Sequence, residues 1–244
     1  MDTSTEVDMA TDIQTPNPVK NNKAGIDLTL DYHAHSLPGC DHGSNSLRTS
    51  LAQIAMAKAA GIRTICATPH FYPDRESVGA FLARRQETYE LLLPELDHDD
   101  PAVQLGAEVL ICESMERLKD LALLCRQGTN ELLLEMPFYR WPDTIWDTMY
   151  QLHEMNEISL VIAHADRYPP EDIEQIIQEG IKLQLNAECL TKPLRRKRYL
   201  RWIEAGCVQY LGSDIHQLGP GYRDWEKCTK LIQKGLGQEK NKRP

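Results

Sequence analysis

The sequence predicts an α/β protein in which strands and helices alternate and the parallel strands close into a barrel of βα units. Seven short apolar runs follow residue 25, namely IDLTLDYHAH, RTICATPH, AVQLGAEV, ELLLEM, SLVIAH, KLQLNAE and VQYLGSD. Stretches with helical spacing lie between them, such as Leu51, Ile54, Ala55 and Lys58, then Leu118, Leu121, Ala122 and Cys125, then Ile173, Ile176 and Ile177. That alternation requires a parallel sheet, either closed or open and doubly wound. The polar residues decide between the two. Six of the seven runs end in titratable side chains: His33 and His35, His70, Glu108, Glu135, His164, and Asp214 with His216. A barrel collects functional groups from the C-terminal ends of many strands around one axis, whereas an open sheet gathers them at a single switch point.

Taken in order, residues 1 to about 25 are rich in Thr, Asp, Asn and Pro without apolar periodicity, so they read as a flexible leader, with 26–244 as a single domain. In DYHAH the i, i+2 spacing puts the imidazoles of His33 and His35 on one face of a strand, where both can grip one metal. The Pro-Gly turn of LPGCDHG can fold His42 back toward that strand end. His70 closes ATPH, and Asp214 and His216 repeat the i, i+2 spacing in GSDIH. Each of these histidines taken alone also fits a packed or solvated position; their joint placement at strand ends points to a metal centre. Glu108 and Glu135 terminate runs that must be buried, where an unpaired carboxylate costs several kcal/mol, so both need cations, either basic side chains or metal ions. A His, Asp and Glu donor set without thiolate suits Mn, Fe or Zn at an open site.

Composition narrows the function classes. Twenty-seven Lys and Arg against 36 Asp and Glu give the chain a net charge of −9, which argues against broad nucleic-acid binding or attachment to anionic membranes. No run of about 18 apolar residues and no signal-peptide pattern occurs, so no membrane insertion is expected. Seven cysteines (40, 66, 112, 125, 189, 207 and 228) contain no CxxC pair, and a reducing cytoplasm is the expected compartment.

The motifs DYHAHSLPGCDHG, ATPHFYP, GAE, LLLEMP, VIAHADRY and GSDIHQL, over about residues 27 to 225, together resemble the polymerase-and-histidinol-phosphatase (PHP) superfamily. Within it they are most similar to capsule-type bacterial protein-tyrosine phosphatases, which act on tyrosine autokinases of polysaccharide export. The resemblance implies a distorted (βα)7 TIM-like barrel with three divalent ions, most simply Mn, at the C-terminal ends of the strands. By it, His33, His35, Glu108 and Asp214 hold a first ion; Glu108 bridges to a second held also by Glu135 and His164; His42, His70 and His216 hold a third. Two departures stand out. The branch usually reads DDG where this chain has Asp41-His42-Gly43, and its short arginine segment after the last DxH is replaced by QLGPGYR, which places Arg223 two residues later.

The implied reaction is hydrolysis of phosphotyrosine on a protein by a hydroxide bridging two ions, because metal binding lowers the pKa of water toward about 7. Arg167 of HADRY, with Arg223, would bind the phosphoryl oxygens. A tyrosine leaving group, with a pKa near about 10, needs little help from an acid; Asp41 is the side chain available for that purpose. A small-molecule phosphatase of the histidinol-phosphate type and a weakly catalytic module that binds a phosphorylated partner are the alternatives.

Three other features compete for attention. Cys189 to Arg195 satisfies C-x5-R, but the segment has no glycine and contains Pro193, so it cannot cradle phosphate with backbone amides. Lys192, Arg195, Arg196, Lys197, Arg198 and Arg201 form a basic stretch on the helix after the sixth run, either a solvated face or a docking surface for an acidic phosphotyrosine-bearing tail. Phe138, Tyr139, Trp141 and Trp146 follow Glu135 as loop packing or as walls for a phosphotyrosine ring, while His98 and His153 are expected in solvent.

Overall fold

The computed structural model describes residues 25–219 and 221–238, so the expected leader lies outside the described residues except for Gly25. In chain order the elements are β1 (Leu30–Ala34), α1 (Leu47–Ala59), β2 (Thr64–Ala67), β3 (His70–Phe71), α2 (Val78–Leu92), β4 (Ala102–Leu105), β5 (Glu108–Leu110), β6 (Glu131–Glu135), α3 (Asp143–His153), β7 (Ser159–Ile162), α4 (Pro170–Gln178), β8 (Lys182–Asn186), α5 (Pro193–Glu204), β9 (Val208–Gly212) and α6 (Gly221–Gln238). All pairings are parallel. One sheet has the order β1-β2-β4 and the other β3-β5-β6-β7-β8-β9.

Two of the seven predicted strands are broken in the middle. RTICATPH divides into β2 and β3 at Thr68-Pro69, where proline supplies no N–H to a ladder. AVQLGAEV divides into β4 and β5 at Gly106-Ala107, and a side chain at Gly106 would come within 3.0 Å of Cys66 Sγ. The edges of the two sheets meet where β1 ends: the Asp214 N–H donates to the His33 carbonyl at 2.7 Å and the His35 N–H to the Ile215 carbonyl at 3.3 Å. This contact is a single parallel bridge, Ala34 to Ile215, so among the described residues the ladders do not close into a continuous barrel. The helical spacing read at 118–125 also failed to give an α-helix. Asp120 sits at φ 62° and restarts the chain into a short 3-10 turn over Leu121–Leu124.

Alternation along the strands sorts side chains into two layers. Leu132 and Leu134 of β6 join the large core under the helices, with Ile54 and Ala57 of α1 and Ile173 and Ile176 of α4. Leu133 points the other way, into a small cluster with Tyr32, Val161 and Ala163, packed by Leu30 and Tyr210. Helix α3 shows the matching 3.6-residue periodicity, burying Ile145, Thr148, Met149 and Leu152. Burying these faces stabilises the fold by roughly 1.5–3 kcal/mol per large side chain.

Candidate metal centre

Above the small inner cluster, the strand ends converge. A register shift in β1 between Asp31 and Ala34 turns the strand. Asp31 is left facing Tyr222 of α6, whose hydroxyl donates to it at 2.7 Å, and His33 and His35 face the centre. Their Nε2 atoms lie 3.1 Å apart, and each is 3.1 Å from Glu108 Oε2; Asp214 Oδ1 is 3.6 Å from the first ring and 3.4 Å from the second. His70 Nδ1 approaches the same Glu108 oxygen at 3.1 Å and Glu135 at 3.8 Å. His164 Nε2 is 2.9 Å from Glu108 Oε1 and 3.6 Å from Glu135 Oε1.

Metal ligation fits these atoms on three counts. Ligand atoms about 3 Å apart are what bonds of about 2.0–2.2 Å to a shared ion produce. Glu108 Oε2, His70 Nδ1, His164 Nδ1 and His216 Nε2 are buried without a hydrogen-bond partner among the described residues, which is costly unless a cation satisfies them. Three overlapping groups also have all their donor atoms within 4.8 Å of one another: His33, His35, Glu108 and Asp214; His70, Glu108 and Glu135; and His35, His70 and His216. Their memberships differ from the sets implied by the sequence. The first group is the same, but His70 and His35 reach further groups, His164 adjoins the second through the two glutamates, and exposed His42 stacks 4.6 Å from His70 and 4.8 Å from His216 without entering a group.

Protonation follows the charges. Burial opposes the ionised form of Glu108, yet the neighbouring histidines hold it well below the usual carboxylate range. Burial likewise opposes protonation of His164, but hydrogen bonds to Glu108 and Glu135 push it up to about 9. Burial brings His70 down to about 3.

Asp41 has a different role from the one its sequence position allowed. Its Oδ2 accepts from His35 Nδ1 at 2.7 Å and from the His70 N–H at 3.0 Å, and its Oδ1 accepts from the Gly43 N–H at 2.8 Å. Burial works against ionisation there, but these bonds hold the carboxyl well below its ordinary range. In this arrangement the carboxylate accepts from its neighbours and orients His35, with the proton on Nδ1 and Nε2 turned to the centre. Gly43 is required beside it, because a Cβ there would sit 2.2 Å from the His35 Cβ.

Gln184 and Asn186 of β8 complete the support, and the sequence reading passed over both. Gln184 Oε1 accepts from His33 Nδ1 at 3.2 Å and from the His164 N–H at 2.6 Å, while Nε2 donates to Asn186 Oδ1 at 3.0 Å. Asn186 Nδ2 then donates to Asp214 Oδ2 at 3.0 Å. The sequence reading took no candidate ligand from KLQLNAE, yet its amides Gln184 and Asn186 alternate inward at the same i, i+2 spacing as His33 and His35. His164 and Asp214 adopt φ of 29° and 49°, a strained conformation for side-chain-bearing residues that this network holds in place.

Arg167 ion-pairs with Asp214 at the rim of the centre. Arg223 lines a separate recess with Met56, Ala59, Ala60, Tyr222 and Glu226, and the hydrogen bonds and ion pairs of the centre include Arg167 but not Arg223. Phe138, 65% exposed, stacks 5.7 Å from His164, whereas Trp141 is buried and donates to the Pro137 carbonyl at 2.8 Å. Cys189 is buried and its thiol is pushed far up by burial, the opposite of a nucleophile. His98 is exposed; His153, at the end of α3, is half-buried.

Parallel strands whose ends deliver buried histidines and carboxylates to one point define an α/β protein with a side-chain cluster that could bind metal. Residues 29–243 match the family described as capsular polysaccharide synthesis, CpsB/CapC, and the chain belongs to that family. Curated relatives include the tyrosine-protein phosphatase YwqE of Bacillus subtilis (strain 168), 28% identical over 227 residues that cover 86% of each chain. Another is the tyrosine-protein phosphatase CpsB of Streptococcus pneumoniae, 25% identical over 240 residues that cover 87% of this chain and 93% of the relative. The fold is similar, at a TM-score of 0.64 and 23% identity over 85% of this chain and 90% of the other, to a solved structure from work on YwqE and CpsB as unique metal-dependent tyrosine phosphatases.

Proposed function

We propose that the protein is a metal-dependent phosphotyrosine-protein phosphatase, and that its substrate is a tyrosine autokinase of capsular or exopolysaccharide synthesis. The observation that carries this reading is the trio of ligand groups that share Glu108, His35 and His70, with Arg167 at their rim. Adjacent ions with a guanidinium beside them suit a phosphoryl group better than a carbonyl. The names of the relatives support the same reading.

Three divalent ions, Mn by preference and Fe or Zn otherwise, would be held by His33, His35, Glu108 and Asp214, by Glu108, Glu135, His70 and His164, and by His35, His70, His216 and His42. Such ions supply Lewis acidity at phosphorus and a nucleophile drawn from water at neutral pH. The protein's own groups do the rest. Asp41 and Gln184 fix the tautomers of His35 and His33, and Asn186 orients Asp214. Arg167 leaves Asp214 to take the phosphoryl oxygens, and Phe138 covers His164 and offers a face to the phosphotyrosine ring. Phenolate departs without a dedicated acid, consistent with an Asp41 that stays ionised.

The same reading treats 26–244 as one domain. Its two sheets make a distorted (βα)7 barrel, with β2–β3 and β4–β5 each serving as one bent strand and β1 returning beside β9; the Ala34–Ile215 bridge supports this. Seven free cysteines fit a reducing cytoplasm, and no described helix is long and apolar enough to cross a membrane.

The decisive experiment compares turnover of a phosphotyrosyl peptide and of histidinol phosphate by the full chain with Mn, before and after chelation. We expect phosphopeptide hydrolysis that chelation abolishes and Mn restores. Preference for histidinol phosphate would move the protein to the small-molecule class, and tight phosphopeptide binding without turnover would make it a binding module.

A further inference from the structure

Although the chain carries a net charge of −9, helix α5 concentrates positive charge beside the metal centre. Lys192 pairs with Glu188 at 2.9 Å, but among the described residues no ion pair forms at Arg195, Arg196, Lys197, Arg198 or Arg201. Two of these arginines line a recess shared with Arg167. Arg195, Arg198, Tyr199 and Trp202 follow the i, i+3, i+4, i+7 spacing of one helix face, and they line a recess of about 500 Å³ whose other wall is Phe138, Arg167 and Tyr168. The recess borders the candidate metal centre through two of its lining residues, Phe138, which stacks on His164, and Arg167, which pairs with Asp214. The helix is fastened there as well, because the Tyr199 hydroxyl donates to the Asp166 carbonyl at 3.1 Å, one residue before Arg167.

Resting on the phosphotyrosine reading above, we infer that this recess holds the substrate chain on either side of the phosphotyrosine, and that Arg195 and Arg198 select substrates with carboxylates in those flanks. The walls carry the chemistry needed. Phe138, Trp202 and two prolines, Pro169 and Pro170, offer an apolar trough for an extended backbone. The guanidiniums beside it, which form no ion pair among the described residues, match carboxylates in a bidentate geometry that lysine would not. Uncompensated charge costs little on a solvated helix but gains most where a partner desolvates it, and the partner implied is an acidic peptide. Arg196, on the other side of α5, borders a different recess with Lys227, Lys230 and Lys234 of α6, which provides an internal control of equal charge.

The test uses two phosphotyrosyl peptides that differ only in having Asp and Glu, or Asn and Gln, at the flanking positions. With the Mn-loaded full chain, kcat/KM for the acidic peptide should exceed that for its amide twin about fivefold or more, carried by KM. That ratio should fall as salt rises. It should approach one in Arg195→Glu/Arg198→Glu, while Lys227→Glu/Lys230→Glu keeps the parent ratio. A ratio of one in the parent overturns the proposal without recourse to any variant, and an equal loss in the α6 control would reduce it to general electrostatic steering and overturn it too. Failure of the parent to hydrolyse either peptide sinks the phosphotyrosine reading itself, a distinct outcome from hydrolysis of both at equal efficiency.

Discussion

Gln184 is a neutral side chain on which two histidines of the proposed metal centre depend. Its carbonyl oxygen can only accept, so the proton of His33 must sit on Nδ1 and Nε2 must be free; the same oxygen pins the strained backbone of His164. Gln184→Leu would keep the volume and strip both donors of their acceptor, at about 1–3 kcal/mol for each buried group left unsatisfied. Loss of such outer partners typically lowers metal affinity about 10- to 100-fold. We therefore expect sub-stoichiometric metal in Gln184→Leu after desalting, measured by elemental analysis, with partial rescue by Gln184→Glu, which retains an acceptor. Full metal content in the leucine variant would show that the histidines orient themselves. The convergence of the candidate histidines was legible in the sequence because they end apolar runs. The amides were not, because a polar residue without charge in a buried strand carries no signature of what it bonds.

Strand β6 shows why the element matters more than the residue type. Glu131 and Glu135 lie four residues apart on the same side, and composition gives them equal standing. At the start of the strand, Glu131 accepts from Arg126 at 2.9 Å, from Lys182 at 2.7 Å, and from the hydroxyls of Tyr210 and Tyr32. At the end, the ion-pair partners of Glu135 among the described residues are His70 and His164. Glu131, which the sequence reading did not single out, is ion-paired, whereas Glu135 meets no Lys or Arg in an ion pair among the described residues, and the difference lies in cations brought from positions 126 and 182 by tertiary pairing. Burial opposes ionisation of Glu131, yet Lys182, Tyr210 and Arg126 hold its pKa below the ordinary value. A depressed folded-state pKa means the stabilisation is fully present above the unfolded value of about 4.3 and is lost as pH falls through the folded one. Glu131→Gln should cost about 1–3 kcal/mol at pH 7, since two partly solvated cations lose their charged partner, and the gap in denaturation midpoint between variant and parent should narrow below about pH 4. A gap that stays constant across that range would mean the cost is packing rather than charge.

At the scale of the whole molecule, the two sheets share one backbone bridge beyond their own ladders, at Ala34 and Ile215. The convergence of strand-end side chains was legible in the sequence, but the closed barrel expected from it does not form among the described ladders; the breaks at Pro69 and Gly106 were not legible, because local sequence cannot show which ladder a short strand joins. The metal centre spans that join. His33 and His35 belong to the three-stranded sheet, whereas Glu108 and Glu135 belong to the six-stranded one. Ions shared between them would act as a clasp, and their binding energy would then appear in global stability rather than in one loop. An ion present at about 100 times its Kd adds about 2.7 kcal/mol, which for a chain of this size corresponds to a Tm change of roughly 5–10 °C. Chelation should lower Tm by that amount within a single calorimetric transition, and added Mn should restore it. If activity disappears on chelation while Tm stays fixed, the sheets hold each other without the ions, and the centre serves chemistry alone.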